Sequence, residues 1–276
     1  MIFQKVGFVL VIIFALILIM PLVWMIAGSF QHSDDLTRVP PRIISNDMGV
    51  FNYVKLMKYP LFKWALNSLI VSVCGAVLGC VINLLAGYAF AKKKFYGKEF
   101  IFTMFLITLI IPSQITLIPS FLIIKGLGIY NTLLAVILPC GMSGFAVFML
   151  RRFIEKIPDE FFSMATIDGC NEFQKFIHIL VPLSASAIVT ILIMNFIGIW
   201  NNFLWQMIVL GREEIMTLPL GVSWVMHNEM MLRDNGLPSY GTMLAAATFS
   251  FIPVLLVFVF GQRWYLKDFF GGGVKE

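Results

Sequence analysis

The sequence predicts an all-α integral membrane protein with six transmembrane helices, both termini inside, and a water-compatible hairpin between helices 4 and 5. Three observations carry the prediction. First, 59% of the 276 residues are hydrophobic and only 13% are charged, with mean hydropathy +0.90, whereas a soluble domain carries roughly 25% charge. Second, the apolar residues collect into six segments, at about 6–28, 64–91, 100–124, 131–150, 183–210 and 241–264, each able to cross a bilayer that needs about 20 residues. Third, the charges avoid these segments. No Asp, Glu, Lys, Arg or His occurs between Val6 and Phe30, Trp64 and Ala91, Phe100 and Ile124, Gly126 and Leu150, Pro182 and Leu210, or Gly241 and Gln262. No repeat or composition shift marks a second domain, so residues 1–276 read as one transmembrane domain.

The first segment is too long for a signal peptide and lacks a small-residue cleavage site, so it reads as a retained anchor. The second contains Gly75-Ala-Val-Leu-Gly79, a spacing that lets helices approach closely and is a weak sign of a subunit contact. Pro112, Pro119, Pro139 and Pro253 lie in or beside the third, fourth and sixth segments and loosen or kink them. With the N-terminus inside, twelve of the 20 Lys and Arg fall on the inner side and eight on the outer. The compact Ala91-Lys-Lys-Lys-Phe-Tyr-Gly-Lys98 run strengthens that orientation. The long outer loop at 31–63 instead mixes in Asp34, Asp35 and Asp47. A second outer loop, 211–240, carries Trp224 and several methionines, which suit either an adaptable contact surface or a short helix on the membrane interface.

The inner loop 151–182 holds the stretch around which the rest is organised, Ile157 to Pro182. It reads as two short helices joined at Gly169. Pro158 suits a first helical turn, and Asp159 and Glu160 complement the positive end of the helix dipole. Ile157, Phe161, Met164, Ala165 and Asp168 follow at helical spacing as one face. Gly169 can take the left-handed conformation that ends the helix. Asn171 caps a second helix bearing Phe173, Phe176, Ile177 and Leu180, and Pro182 closes it. Spacing alone fits a loop lying on lipid headgroups as well as an apolar helix set into a groove of another protein.

The sequence carries none of the common catalytic motifs. There is no phosphate-binding loop, no GxGxxG and no HExxH, and His32, His178 and His227 are far apart in loops. No cofactor or metal site is expected. Cys74, Cys80, Cys140 and Cys170 have no metal-like spacing and read as small buried residues. The net charge of +5 reports loop topology and implies no nucleic-acid partner. Ion-coupled carriers place ionisable groups at mid-membrane; their absence here points to transport powered from elsewhere. The neutral polar residues Asn83, Gln114, Asn195, Asn201 and Asn202, beside Trp200, Phe203 and Trp205, are candidates for a path that carries a neutral, hydroxyl-rich solute. Interhelical hydrogen bonding uses the same residue types.

Ala165-Thr-Ile-Asp-Gly169, followed by Phe173, Phe176, Ile177, Pro182 and Leu183, resembles the EAA loop of bacterial ABC-type importer permeases. Ser163 and Met164 stand where that family usually has Glu and Ala. The likeness to the sugar-importing, maltose-transporter-type branch extends along most of the chain. It includes Asn52-Tyr53, Asn67-Ser68, Gly87-Tyr-Ala-Phe-Ala91, Ile111-Pro112, Asn131-Thr132, Trp200-Asn201, Thr217-Leu-Pro219, Ile252-Pro253 and the tail Gly272-Gly273-Val274-Lys275, which here ends in Glu276. The resemblance implies a permease subunit of a bacterial inner membrane, not itself an enzyme. Its implied partners are a second homologous permease, two copies of an ABC ATPase and an extracytoplasmic solute-binding protein that delivers a sugar or oligosaccharide. It also implies that Ser163, Met164, Ala165, Asp168 and Gly169 form the coupling element and that Gly272, Gly273, Val274 and Lys275 lie against the ATPases. A secondary carrier or channel for a small neutral solute, and a non-transporting membrane scaffold, are the alternatives.

Overall fold

The computed structural model describes residues 2–40, 44–231, 233–234 and 237–270; the tail residues Gly272 to Lys275 lie outside them. The described chain is helical apart from one antiparallel two-residue pair, Arg233–Asp234 with Leu237–Pro238. In order, the helices are α1 (Ile2–Gly28), α2 (Ser33–Thr37), α3 (Phe51–Leu56), α4 (Leu61–Lys92), α5 (Lys98–Ile107), α6 (Ser113–Gly126), α7 (Leu134–Ile137) and α8 (Gly144–Glu155). They continue as α9 (Asp159–Ile167), α10 (Glu172–Lys175), α11 (Val181–Leu183), α12 (Ala185–Trp200), α13 (Phe203–Val209), α14 (Leu218–Met231) and α15 (Tyr240–Phe270).

Among the described residues, three stretches are single helices long and apolar enough to cross a membrane: Val6–Gly28, Leu61–Lys92 and Tyr240–Gln262. Two further candidates are bent pairs, Leu134–Gly141 with Gly144–Glu155 at 42° and Glu172–Leu183 with Ala185–Trp200 at 80°. The segment expected at 100–124 is not one helix. It divides into α5 and α6 around Thr108–Pro112. Pro112 supplies no N–H, its ring crowds the carbonyl four residues back, and it pushes Ile111 out of the helical region. The segment at 131–150 likewise breaks at Met142 and Ser143, both extended, with φ of −137° and −138°. Asn201 and Asn202 interrupt the one at 183–210. The loop read at 211–240 contains a full helix, α14.

The described residues fall into two compact units. One combines residues up to 65 with 217–253. Its α1 exposes nearly every large apolar side chain from Val6 to Met20, as a lipid-facing helix does. Inside the unit, Asn52 donates from Nδ2 to the carbonyls of Ser29 and Gln31, both at 2.9 Å, which holds the chain after α1. Trp64 is fully buried against Gly221, where a Cβ would sit 2.1 Å from the indole ring. Tyr59 donates to Glu229 at 2.9 Å; burial, then that carboxylate, pushes its phenol up to about 12.

The other unit combines 66–216 with residues from 254 on. Its core joins Leu84 and Tyr88 of α4, Leu150 and Ile154 of α8, Ile157 and Leu180 of the hairpin, and Ile191 of α12. Glycine allows the closest approaches. A Cβ on Gly87 would lie 2.9 Å from the Cβ of Leu150, and one on Gly79 only 2.7 Å from the Cys140 carbonyl oxygen. A Cβ on Gly75 would meet Ile199 at 2.8 Å. The GxxxG spacing read as a sign of a subunit contact is therefore used within the chain. A second cluster, Phe90, Phe102 and Val147, seats α5. Arg151 pins that helix with paired hydrogen bonds to Glu99, at 2.9 and 3.2 Å, while its guanidinium lies 4.0 Å over the Phe102 ring. The cysteines are free, and only Cys80 is fully buried; Cys74 is exposed, correcting the expectation that all are buried, because it lies beside the exposed Ile70, Val73 and Val77 on α4.

Candidate functional site

The hairpin is two helical arms on a rigid root. α9 begins after Pro158, which stands at the cap position rather than in the first turn, with Asp159 and Glu160 leading. It ends as a Schellman motif. The Cys170 N–H donates to the Ala165 carbonyl at 2.9 Å, the Gly169 N–H donates to Thr166 at 3.1 Å, and Gly169 has φ +82°. The second arm starts with a full capping box. Asn171 Oδ1 accepts from the Gln174 N–H at 2.9 Å, and Gln174 Oε1 accepts from the Asn171 N–H at 2.8 Å. Pro182 does not close this arm as expected. The chain passes through a π-helical turn at Phe176–Leu180 and continues to Leu183 before bending. Widening that turn accommodates the missing proline N–H and the crowding of its ring.

The face predicted as one apolar stripe divides in two. Ile157 and Ala165 are buried, with Phe162 beside them packing on Tyr88 at 5.9 Å. Phe161, Met164 and Ile167 point away from the protein; Ile167 is 85% exposed. The reason is the period. Residues 162 and 165 share the inward side, whereas 161, 164 and 168 lie about 100° round the helix from it. Ser163 is also exposed, its hydroxyl donating to the Asp159 carbonyl at 3.1 Å, and Asp168 is exposed at the helix end.

Lysines from the end of α4 fasten both arms. Lys92 donates to the Ile157 carbonyl at 2.5 Å and to Asp159 at 2.6 Å, and its ammonium lies 5.5 Å from the centre of the Phe162 ring. That hydrogen bond and the lysine's charge hold the Asp159 carboxyl below its ordinary range. Lys93 pairs with Glu172 and lies over Tyr88, and Lys175 reaches the same carboxylate at 3.0 Å. Sequence spacing reveals neither the pairings of Lys92 and Lys93 nor the role of Tyr88, since those partners are more than 60 residues apart in the chain; the Lys175–Glu172 pair is local.

The five candidate path residues occupy three separate places. Asn83 and Asn195 approach each other around Gly79. Asn83 Oδ1 accepts the Ser143 N–H at 2.9 Å, stabilising the break before α8. The Nδ2 atoms of both asparagines are buried with no hydrogen-bond partner among the described residues. Gln114 and Asn202 share a cleft of about 360 Å³ with Ser113, Thr116, Ser120 and Trp205. Asn202 caps α13 by accepting from the Trp205 N–H at 3.3 Å, while the Trp205 indole donates to Ala135 at 3.0 Å. Asn201 is exposed at the end of α12.

Residues 79–270 match the family described as binding-protein-dependent transport system inner membrane component. The chain belongs to that family. It is 32% identical over 267 residues to the arabinooligosaccharides transport system permease protein AraQ of Bacillus subtilis, covering 95% of this chain and 92% of that one. It is 30% identical over 261 residues to the lactose transport system permease protein LacG of Rhizobium radiobacter, covering 93% and 91%. The fold is similar to that of a chain in the crystal structure of a bacterial ABC transporter that imports alginate, with TM-score 0.84, 22% identity and 96% coverage of both chains. A second alginate transporter structure, in complex with a pentasaccharide-bound periplasmic protein, matches with TM-score 0.69 and 15% identity.

Membership makes this inner membrane component an integral protein of the bacterial cytoplasmic membrane and a transport subunit, not an enzyme. The hairpin presents an apolar outward side on a helix whose ends and root are fixed. The polar clefts offer hydrogen-bonding amides and hydroxyls beside an indole.

Proposed function

We propose that this chain is one of two homologous permeases in an ATP-driven importer that receives a sugar or oligosaccharide from an extracytoplasmic binding protein. Hydrolysis takes place on two copies of a separate ABC ATPase, each engaged by a hairpin such as this one. The carrying observation is the outward stripe of Phe161, Met164 and Ile167 on a helix locked at both ends. An isolated loop gains nothing by exposing three large apolar side chains to water, whereas a partner groove buries them. Within the proposed coupling set, Met164, Ser163 and Asp168 contact the ATPase, Ala165 seats the helix on its root, and Gly169 makes the turn. The tail residues Gly272 to Lys275 lie against the ATPase pair, and the 211–240 stretch, with α14, meets the binding protein.

In this reading the whole chain is one permease domain that crosses the bilayer six times with both termini inside, α5 and α6 together making the third crossing. The sugar class is supported by the arabino-oligosaccharide and lactose permeases among the relatives. The Gln114–Asn202 cleft and the Asn83–Asn195 pair supply hydrogen bonds along the path. A secondary carrier or channel for a small neutral solute is not favoured by the family to which the chain belongs.

The test is ATPase activity of the assembled complex with its binding protein and a panel of sugars. A cognate sugar is expected to stimulate hydrolysis, and Met164→Asp is expected to weaken ATPase retention by roughly tenfold or more, since it places a charge in an apolar groove. Full stimulation and retention in that variant would overturn the coupling role.

A further inference from the structure

Beside the hairpin root lies a cleft of about 470 Å³ whose walls carry Lys92, Lys93, Lys94, Lys98 and Lys175. Two carboxylates, Glu155 and Asp159, share that lining. Lys92, Lys93 and Lys175 have partners, but Lys94 and Lys98 make no ion pair among the described residues. The cleft therefore retains excess positive charge. The hydroxyls of Tyr88, Ser163 and Thr166 also line it, but each already donates within the chain, to Glu172, the Asp159 carbonyl and the Phe162 carbonyl. Tyr96 stands fully exposed at the same turn, a residue type that settles at a headgroup boundary, with exposed Phe95 and Phe100 near it in the chain.

Tyr88 also closes the end of a second, almost wholly apolar groove of about 670 Å³. That groove follows α4 from Val77 to Tyr88 and is walled opposite by Phe176, Ile177, Ile188 and Leu192. Eleven residues of helix rise about 16 Å, close to the roughly 15 Å depth of one leaflet's hydrocarbon. An open basic cleft thus caps an apolar groove one acyl chain long.

We propose that this composite surface binds an anionic phospholipid of the inner leaflet, its phosphate between Lys94 and Lys98 and an acyl chain along α4. Basic pockets at the cytoplasmic side of helix bundles bind such headgroups by charge, while the groove supplies shape. The lipid bridges α4 and the second arm of the hairpin, so occupancy stiffens the root through which the ATPases act. This assignment rests on the proposed inside location of residues 92–98.

The experiment uses the complete complex, both permeases with the ATPases, purified from membranes containing phosphatidylglycerol and phosphatidylcholine. Phospholipid retained through detergent exchange is counted by native mass spectrometry, and ATPase retention is read in the same sample. Selective retention of phosphatidylglycerol is expected. Lys94→Ala with Lys98→Ala should weaken it about thirty-fold, and Val81→Trp should displace it by filling the groove, both with the ATPases still bound. Retained lipid in the proportions of the membrane, or unchanged phosphatidylglycerol in both variants, overturns the proposal. Loss of the ATPases from the lysine variant with lipid unchanged makes the cleft an ATPase contact and also overturns it. A wild-type complex that sheds its ATPases but holds phosphatidylglycerol selectively supports the lipid site and sinks the coupling reading instead.

Discussion

Two glycines show how different constraints select the same residue. Gly169 faces open space, with no atom of the described residues beyond its chain neighbours within 4 Å of a would-be Cβ, but its φ of +82° disfavours residues with a side chain. Gly169→Val is expected to cost about 1–2 kcal/mol at the hairpin turn, giving faster hydrogen exchange at Cys170 and lower sugar-stimulated ATPase activity with the membrane helices unchanged. Gly221 is the opposite case, since a Cβ there would overlap the buried Trp64 ring. Gly221→Ala should destabilise the unit containing α14 by about 1–3 kcal/mol through overpacking, lowering its unfolding temperature by several degrees while leaving hairpin exchange unaltered. If Gly169→Val instead leaves Cys170 protection at the wild-type level, the Schellman turn is not what holds the hairpin.

At the scale of elements, the hairpin is held by charges that its own sequence does not reveal. Removing the ammonium with Lys92→Met is expected to loosen the first arm, read as faster exchange of the amides in 159–168. The pH dependence has a definite sign. Because the folded Asp159 carboxyl lies below its ordinary value, the pairing is fully present above the ordinary carboxylate range and is lost only as pH falls through the lowered value. Arm protection, corrected for intrinsic exchange, should therefore stay flat from pH 5 to 8; a change across that interval would show that another group controls the arm. What was legible in the sequence here is what depends on neighbours a few residues apart: the Gly169 turn, the Asn171 cap and the apolar spacing. The direction each face points was not legible, because Phe162, packed on Tyr88 from α4, decides it. The π-turn before Pro182 and the breaks at Ser143 and Asn202 escape the sequence for a related reason, and the loosening expected at Pro112 is a full break. Hydropathy registers composition along a segment, and one proline or one asparagine bond barely alters it while redirecting the helix.

At the scale of the molecule, the same breaks bear on topology. Three uninterrupted apolar helices and two bent pairs do not by themselves give an even number of crossings. The sixth crossing in the proposed topology requires α5 and α6, parted by Pro112, to traverse the bilayer together. If they turn back instead, the hairpin and Lys5 lie on opposite sides of the membrane. The two arrangements differ in a measurable way. In a variant whose four native cysteines are replaced by serine, Ser163→Cys on the hairpin and Arg212→Cys after α13 are each exposed enough to label. The proposed orientation predicts that a membrane-impermeant maleimide reacts with position 163 only in inside-out vesicles and with position 212 only in right-side-out ones. Gln4→Cys at the N-terminal end should follow the pattern of position 163. Reaction of positions 4 and 163 from opposite faces would place an odd number of crossings between them, which α5 and α6 as a re-entrant pair would produce. The positive-inside bias, modest at twelve against eight, would then be serving a different fold of the same helices.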